Sequence, residues 1–554
     1  MRSKVLVLAS LLLASFAINL DTTIVNVALP SLVRELHATT TQLQWVVDAY
    51  NLVFAALLLA SGSLSDRLGR KGMLLGGLAV FGMASLAGAF TTTPTALIAA
   101  RAVMGLGAAM VFPATLSTIA NVFTERRERA LSIGLWGASA GLAVAVGPIV
   151  GGFLLEHFSW TSIFVLMAPV ALVGAVLVAT CVPSSKDPTE ARVDLLGFVL
   201  STAAMAAVVF TVIEAPDVGW SSARSATGFA AGAVLFALFI GWERRLETPM
   251  LDVRLFRNMR FTAASGSVTI AFFTLFGFIF LMTQYFQFIQ NFSPLSTGVH
   301  LLPVAIAVAV SSVIGTRLAV RVGTKLVVTI GLLAIASFYM WVAGVITAHT
   351  SYGVIAAQMA LYGVGMGFTS APATESIMGA VSIQKAGVGS AVNDSTRLLG
   401  GTLGVAVIGS VYASLYGSKL TTGLPSRFPS GLSAVAHQSV GAAIAVSNRL
   451  SSAGLSHVGA VVHMAAFAAF LHGISVGCLV AGGVALLGAL IAIAFLPAQP
   501  PSEGAPEVFE GARDVAARPS WPAFEPVSTA SGPSVAVVGP VARFGPIARA
   551  CGDV

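Results

Sequence analysis

The chain has 554 residues, of which 56% are hydrophobic and 10% charged, with a mean hydropathy of +0.88 and a formal net charge of +7. This composition excludes a soluble protein of several domains, and the basic excess does not describe a nucleic-acid binder, because the basic residues sit in short loops between apolar runs and read as topological. The runs are rich in Leu, Ala, Val and Gly and about 20 residues long, which suits helices crossing a hydrocarbon layer roughly 30 Å thick rather than the ten-residue alternation of barrel strands. Cys181, Cys478 and Cys551 are far apart and in no ligand spacing, so neither a disulfide framework nor a metal site is expected.

In chain order, hydropathy predicts spans at about 5–29, 44–63, 72–91, 96–119, 131–155, 162–182, 195–215, 225–242, 261–289, 299–316, 326–348, 353–378, 386–414 and 472–496. That makes fourteen, with both termini cytoplasmic. The 30 Lys and Arg test the orientation: Arg34, Arg224, Lys419, Arg427 and Arg449 fall outside, Arg101 and Arg397 fall within spans, and the remaining 23 are cytoplasmic. Residues 1–17 have the makings of a signal peptide, but the helical pattern runs on through NLDTTIVNVALP to Pro30, so the segment reads as the first span.

Ionisable groups inside spans carry the most information, because each costs about 2.5–3.5 kcal/mol near the bilayer centre. In span 1, Asn19, Thr22, Thr23 and Asn26 share one face while Asp21 points nearly opposite. Neither face suits lipid, so this span should be surrounded by protein and a wet cavity. Asp21 reads as a proton or cation site, with a helix-packing hydrogen bond as the alternative. Span 2 carries Gln44, Asp48 and Asn51 on one face near its outer end, where Asp48 is either a cation-attracting substrate contact or simply solvated. The loop that follows, GSLSDRLGRK (Gly62–Lys71), is a glycine-bounded charged hinge placed on the cytoplasmic face. In span 4, Arg101 stands within RAVMGLGAAM, where Gly105 and Ala108 continue its face and let another helix approach closely.

Laying Gly69 on Gly323, an offset of 254 residues, matches Leu64 with Leu318, Arg67 with Arg321 and Lys71 with Lys325. The chain therefore contains two related halves of six spans, with spans 7 and 8 inserted between them, and transporters are commonly built from such repeats with the substrate site between them. In span 9, Phe273, Phe276, Phe280, Gln284, Gln287 and Asn291 align on one face. Such a stripe either packs the helix or lines a pocket for lipophilic cations. In span 13, Ser390, Asn393, Asp394, Arg397, Gly401 and Gly404 form a stripe expected to face a cavity, with Asp394 and Arg397 spaced to neutralise one another. Residues 416–461 should form a long outer loop, partly helical, and the Pro-, Ala-, Gly- and Ser-rich tail after Pro497 should be disordered.

Together these stretches resemble the major facilitator superfamily, and within it the fourteen-span drug:proton antiporters that include the quaternary-ammonium exporters. LDTTIVNVALP looks like the first-span signature, with Asp21 at its acidic position. GSLSDRLGRK is similar to the loop 2-3 motif, which implies a conformational latch at Gly62, Asp66, Arg67, Gly69 and Arg70. RAVMGLGAA resembles the fourth-span motif and implies proton transfer at Arg101. AVAVGPIVGG resembles the fifth-span antiporter motif at Gly147, Pro148, Gly151 and Gly152, with Ala143 in place of its first glycine. AGVGSAVNDSTRLLGGTLGVA and WVVDAYNL resemble the exporters at Asp394 and Asp48. SWTSIF departs from the branch, having Thr161 where arginine is usual.

The expectation is thus an all-α polytopic membrane protein with the major facilitator fold: a first half at 1–182, two inserted helices at 183–260, a second half at 261–496 and a tail at 497–554. The implied activity is proton-driven export of amphipathic, cationic drugs, without cofactor or metal. Asp21, Arg101 and Asp394 would couple protons, and Asp48, Asn51, Phe276, Phe280, Gln284, Gln287, Asn393 and Arg397 would contact substrate. The implied partners are small molecules, protons and the bilayer, with no partner protein indicated. An exporter of a lipid, siderophore or antibiotic metabolite is the alternative, ahead of a nutrient symporter. A membrane enzyme is disfavoured because the eight His are scattered, and an ATP-driven pump because no GxxxxGK[ST] loop is present.

Overall fold

The computed structural model describes residues 4–185, 194–246, 249, 251, 253–381, 386–425 and 428–498. The expected tail, from residue 499 onward, lies outside them, as do the side chains of Asp66 and Arg67. The helices are α1 (Lys4–Leu36), α2 (Thr40–Leu68), α3 (Arg70–Ala89), α4 (Pro94–Val122), α5 (Arg126–His157), α6 (Thr161–Cys181), α7 (Leu195–Val218), α8 (Ala223–Glu243), α9 (Met259–Gln284), α10 (Pro294–His300), α11 (Leu302–Val322), α12 (Thr324–Val345), α13 (Tyr352–Gly379), α14 (Ala386–Gly423), α15 (Ser430–Gln438), α16 (Val440–Ser452) and α17 (Ser456–Phe495). A 3₁₀ turn at Val253–Arg257 precedes α9, and a π-helix at Tyr285–Ile289 extends it.

Helix starts follow the local sequence. Thr39 and Gln42 form a capping box on α2, Thr93 caps α4 ahead of Pro94, and Ser293 caps α10 ahead of Pro294. Among the described residues thirteen segments are long and apolar enough to cross a membrane, against fourteen expected spans. The long helix outside that set is α2, whose side chains are described only in part. The region after α14 departs further from expectation. Where a partly helical loop was expected from 416 to 461, α14 runs on to Gly423, α15 and α16 follow, and the last long helix begins at Ser456 rather than about 472. Its first sixteen residues, SHVGAVVHMAAFAAFL, precede the expected start, and α16 packs along this helix.

The internal repeat is visible in the backbone. Gly69 and Gly323 each form the single-residue joint between two helices, with φ of 108° and 93°, a region that favours glycine because it has no Cβ. Gly69 N–H donates to Ser65 O at 3.1 Å, and Gly323 N–H donates to Ala319 O at 2.9 Å, which is the same bond 254 residues later. By the same offset α1 corresponds to α9, α2 to α10 with α11, α3 to α12, α4 to α13 and α5 to α14. Helices α1–α6 pack among themselves, as do α9, α11–α14 and α17.

Hydrogen bonds joining these two groups cluster at the end of the bundle that carries Pro30, Gln44 and Gln287. There Gln287 Nε2 donates to Val27 O at 2.9 Å, and Gln44 Nε2 donates to Ala406 O at 3.0 Å and to Ser410 Oγ at 3.1 Å. At the same end the backbones of α5 and α10 come together: a Cβ on Gly152 would lie 2.5 Å from Pro294 O, and one on Gly298 would lie 2.2 Å from Pro148 O. Gly298 is the repeat counterpart of Gln44. The two related crossings are therefore closed differently, one by glycine contact and the other by an amide. Pro148 suits this place, since a helix interior without its N–H bends and leaves a carbonyl turn able to repack.

Of the inserted pair, α7 packs at the seam against α2 and α14, with Phe229 of α8 beside it. Val209, Val212 and Ile213 close a small core with Leu52 of α2 and Ala406 of α14. Thr41 Oγ1 donates to Asp217 at 3.0 Å, and Trp220 Nε1 donates to Ser414 Oγ at 3.0 Å, so this end is tied to both groups. Replacing Gly152 with Val is expected to prop the Gln287 end open. In a background lacking the native cysteines, a cysteine at Gln287 should then react about tenfold faster with a membrane-impermeant maleimide, equivalent to about 1.4 kcal/mol. An unchanged rate would mean that the α5–α10 contact does not hold this end shut.

Candidate functional site

Close approach of α2 and α4 creates the first part of the site. A Cβ on Gly105 would lie 2.5 Å from Tyr50 O, so the glycine brings the two backbones together and sets Arg101, one turn earlier, against α2. Arg101 is fully buried. Its Nη1 donates to Asp21 Oδ2, its Nε donates to Val46 O at 3.0 Å, and its guanidinium carbon lies 4.3 Å from the centre of the Tyr50 ring. Tyr50 in turn donates its hydroxyl to Ile18 O at 3.1 Å, one turn before Asp21. Three helices thus hold one ion pair, with α1 giving the acid, α4 the base and α2 the aromatic face and a carbonyl.

The pair is only partly satisfied. Asp21 Oδ1 and Arg101 Nη2 are buried without a hydrogen-bond partner. A carboxylate with one free oxygen inside apolar packing is suited to exchange its guanidinium for a proton. The other polar groups of α1 do something simpler: Asn19, Thr22, Thr23 and Asn26 donate to carbonyls of their own helix. Their face is packed rather than wet, since a Cβ on Gly147 of α5 would meet Thr23 Oγ1 and one on Gly151 would meet Ile24. Of the protein and wet cavity expected around α1, this face meets protein, in α5.

On α2, Asp48 is fully buried and not an exposed interfacial residue, and both its oxygens lack partners. Asn51, one turn further, is likewise buried with both polar atoms unpartnered, and Gln44, one turn earlier, bonds α14. This run of i, i+4 and i+7 residues leaves hydrogen-bonding capacity within the bundle that the protein itself does not use.

The α14 residues are arranged otherwise than their spacing suggested. Asp394 and Arg397 do not pair: Arg397 Nη2 donates to Thr374 Oγ1 on α13 at 3.1 Å, and its guanidinium lies 5.3 Å from the Phe272 ring. Thr374 also donates to Asn393 Oδ1 at 3.0 Å, and Asn393 Nδ2 lies 3.5 Å from Asp394 Oδ1. The glycines of the same stripe face α9, not a cavity. A Cβ on Gly404 would meet Phe273 O at 2.1 Å, and one on Gly401 would meet the Phe276 ring at 3.1 Å. Phe276 is therefore packed on α14, and Phe280 is fully buried.

The stripe on α9 is also broken in phase. The π-helix at Tyr285–Ile289 puts extra residues into its turn, so side chains beyond Gln284 leave the face that a regular helix would give them. Gln284 donates to Phe280 O of its own helix, Gln287 crosses to α1, and Asn291 takes a left-handed φ of 56°. In the loop 2-3 segment, Gly69 supplies the joint, Gly62 lies beside Pro113 of α4, and Arg70 N–H donates to Ser185 O at 3.1 Å. The latch expected of Asp66 and Arg67 falls on side chains outside the described residues.

The structure brings Asp21 and Arg101 together, and it adds Tyr50 and Thr374. Sequence reasoning missed both, although a Tyr two residues after Asp48 on a helix facing Arg101 was open to a cation–π reading.

The sequence profile of the Major Facilitator Superfamily matches residues 11–405. The multidrug efflux pump LfrA of Mycolicibacterium smegmatis is 35% identical over 446 residues, covering 80% of this chain and 88% of that protein. The methyl viologen resistance protein SmvA of Salmonella typhimurium is 34% identical over 491 residues, covering 87% and 96%. A methylenomycin A resistance protein of Streptomyces coelicolor is 36% identical over 397 residues, covering 71% and 83%. Among solved structures, a bacterial homologue of the human lysosomal transporter Spinster shares the fold, with a TM-score of 0.63 at 13% identity over 88% of this chain and 95% of that one.

Removing one member of the buried pair leaves the other charge uncompensated. Arg101→Ala should destabilise the protein by about 3–5 kcal/mol, seen as a lowered unfolding midpoint in detergent. The double replacement Asp21→Asn with Arg101→Gln should recover part of that loss. A double variant no more stable than Arg101→Ala would show that packing, not the pair, carries the effect.

Proposed function

This chain belongs to the major facilitator superfamily, and from that premise we propose that it exports amphipathic, cationic drugs across the cytoplasmic membrane by exchange for protons. The observation that carries the reading is the similarity, along most of both lengths, to proteins named for multidrug efflux and for methyl viologen resistance. The geometry supports it in two ways. A carboxylate and a guanidinium are kept together at high cost inside an apolar bundle, and Asp48, Asn51 and Gln287 leave acceptor atoms unpartnered within it.

Both termini lie on the cytoplasmic side in this reading, so the bonded end is the outer gate. The halves 1–182 and 261–496 rock about a site near their seam, and the cycle needs no cofactor beyond the proton gradient. Asp21 takes a proton when the site faces outward, which releases Arg101 to its carbonyl and aromatic partners. It loses the proton when the site faces inward, and the pair re-forms. Asp394, held by Asn393, is the second acid of the cycle, and Arg397 fixes that region of α14 through Thr374. A carboxylate cannot hold a proton and attract a cation at once, so proton and drug favour opposite states, and exchange follows. No step of this cycle is enzymatic, and no nucleic acid or protein partner enters it.

Export of a lipid, siderophore or antibiotic metabolite is the second reading. The relative named for methylenomycin A resistance favours it.

Ethidium efflux from proteoliposomes with an imposed proton gradient separates these readings. Wild type should need the gradient, and Asp21→Asn should lower the rate on the order of 100-fold, the scale of a lost proton-transfer group. Asp394→Asn should lower export of dications more than that of monocations. Wild-type protein that moves a neutral or anionic metabolite but no cationic dye would remove the cation assignment, and full activity in Asp21→Asn would place the proton site elsewhere.

A further inference from the structure

The linker between the inserted pair and the second half contains a concavity that the transport cycle does not use. Arg244 at the end of α8, and Val253, Arg254, Phe256 and Arg257 of the 3₁₀ turn, line a cavity of about 310 Å³. This is large enough to belong with small-molecule sites, which span roughly 300–1,000 Å³. The segment from Arg244 to Arg260 carries five arginines against Glu247 and Asp252. Three of the five face one hollow.

Several bonds fix this wall in place. Leu251 N–H donates to Glu243 Oε2 at 3.2 Å, and Trp242 Nε1 donates to Asp194 Oδ1 at 2.8 Å. Thr262 Oγ1 donates to Phe256 O at 2.6 Å, and Arg260 Nε donates to Ser376 Oγ on α13 at 3.1 Å, turning that fifth arginine away to the second half. Asp194 Oδ1 thus receives an indole and, at 2.9 Å, the Gly197 N–H, and Glu243 Oε2 receives a backbone amide, while Asp194 Oδ2 stays without a hydrogen-bond partner.

Position identifies the ligand class. The hollow sits where α8 ends and α9 begins, at the end of the bundle opposite Gln287. Beside it the bundle is apolar and outward-facing: Phe236 and Leu238 of α8 and Met259 of α9 are each more than half exposed. Trp242 stands at that boundary, the depth that tryptophan favours in membranes. Guanidinium groups match phosphate oxygens with paired donors, and basic hollows at the cytoplasmic edge of a helix bundle attract anionic headgroups.

We propose that Arg244, Arg254 and Arg257 form a binding site for the phosphate of an anionic phospholipid, with Phe256 against its glycerol and the acyl chains lying along α8. The occupant is a phosphate monoanion or diester in either of two settings, a bilayer lipid or a soluble phosphate, and the lipid is favoured by the apolar wall beside the hollow.

The test is native mass spectrometry of purified full-length protein from nanodiscs of phosphatidylcholine doped with phosphatidylglycerol. Wild type should retain a phosphatidylglycerol through delipidation. R254Q/R257Q should retain it roughly 30-fold less, at about fivefold for each basic residue near a membrane surface. R254K/R257K should retain an intermediate amount, and R244Q alone, which alters only a helix end, gives the same reading if the double variant does not fold. Inorganic phosphate at millimolar concentration should not displace the lipid. Displacement by phosphate would keep the anion site and assign it a soluble occupant. Equal retention of phosphatidylglycerol by wild type and R254Q/R257Q, or by wild type and R244Q, would overturn the proposal.

Discussion

The ion pair between Asp21 and Arg101 is the constraint to which the first half of the bundle is fitted. Two full charges removed from water are worth keeping only if neither is left alone, and the margin is small even when both are present. Each neighbouring choice lowers that cost. Gly105 brings α4 against α2, Val46 offers a carbonyl to Nε, and Tyr50 covers the guanidinium with its ring while its hydroxyl is anchored one turn before Asp21. Gly147 and Gly151 then press α5 onto the opposite face of α1, so the helix that bears the acid is packed on all sides over its second half.

The second half has the same helix order but spends no such pair. Its charged residues on α14 are held one at a time: Arg397 by Thr374 and Phe272, and Asp394 by Asn393. The positions equivalent to Asp21 and Arg101 are Leu275 and Ile355, which are simply apolar. Duplication has therefore preserved the architecture while the electrostatics remained on one side. What joins the halves is shared more evenly, through α5 with α10 and α2 with α14.

Much of this was legible in the sequence because it depends on local rules. Apolar run length gave the helices, and the offset of Gly69 on Gly323 predicted a repeat that the backbone repeats down to the same hydrogen bond. Asp21 and Arg101 stood out because ionised groups in spans are rare. The failures share a different cause. Periodicity assumes a regular helix, and the π-helix at residues 285–289 changed the phase of Gln287. Spacing of three residues permits an Asp394–Arg397 pair but cannot show that Thr374, on another helix, competes for the arginine. Composition could not separate a loop from short helices between 424 and 456, because their Ser, Gly and Ala serve either state and the packing against α17 decides. Asp48 was ambiguous for the same reason, since burial of α2 comes from α4, α14 and α7 and not from α2 itself.

At their crossing, α5 and α10 meet through Gly152, Gly298 and the carbonyls opposite them, with Ser293 Oγ donating to Glu156 at its edge. A surface built this way is indifferent to which residues line the pocket beside it. On the proposed reading, changes at Asp48 or Asn51 alter what the carrier holds without altering the fit of the two backbones. The machinery of opening and the chemistry of recognition are thus separable in inheritance. A lineage of such carriers can drift toward new compounds one pocket residue at a time, while the moving parts stay as they are.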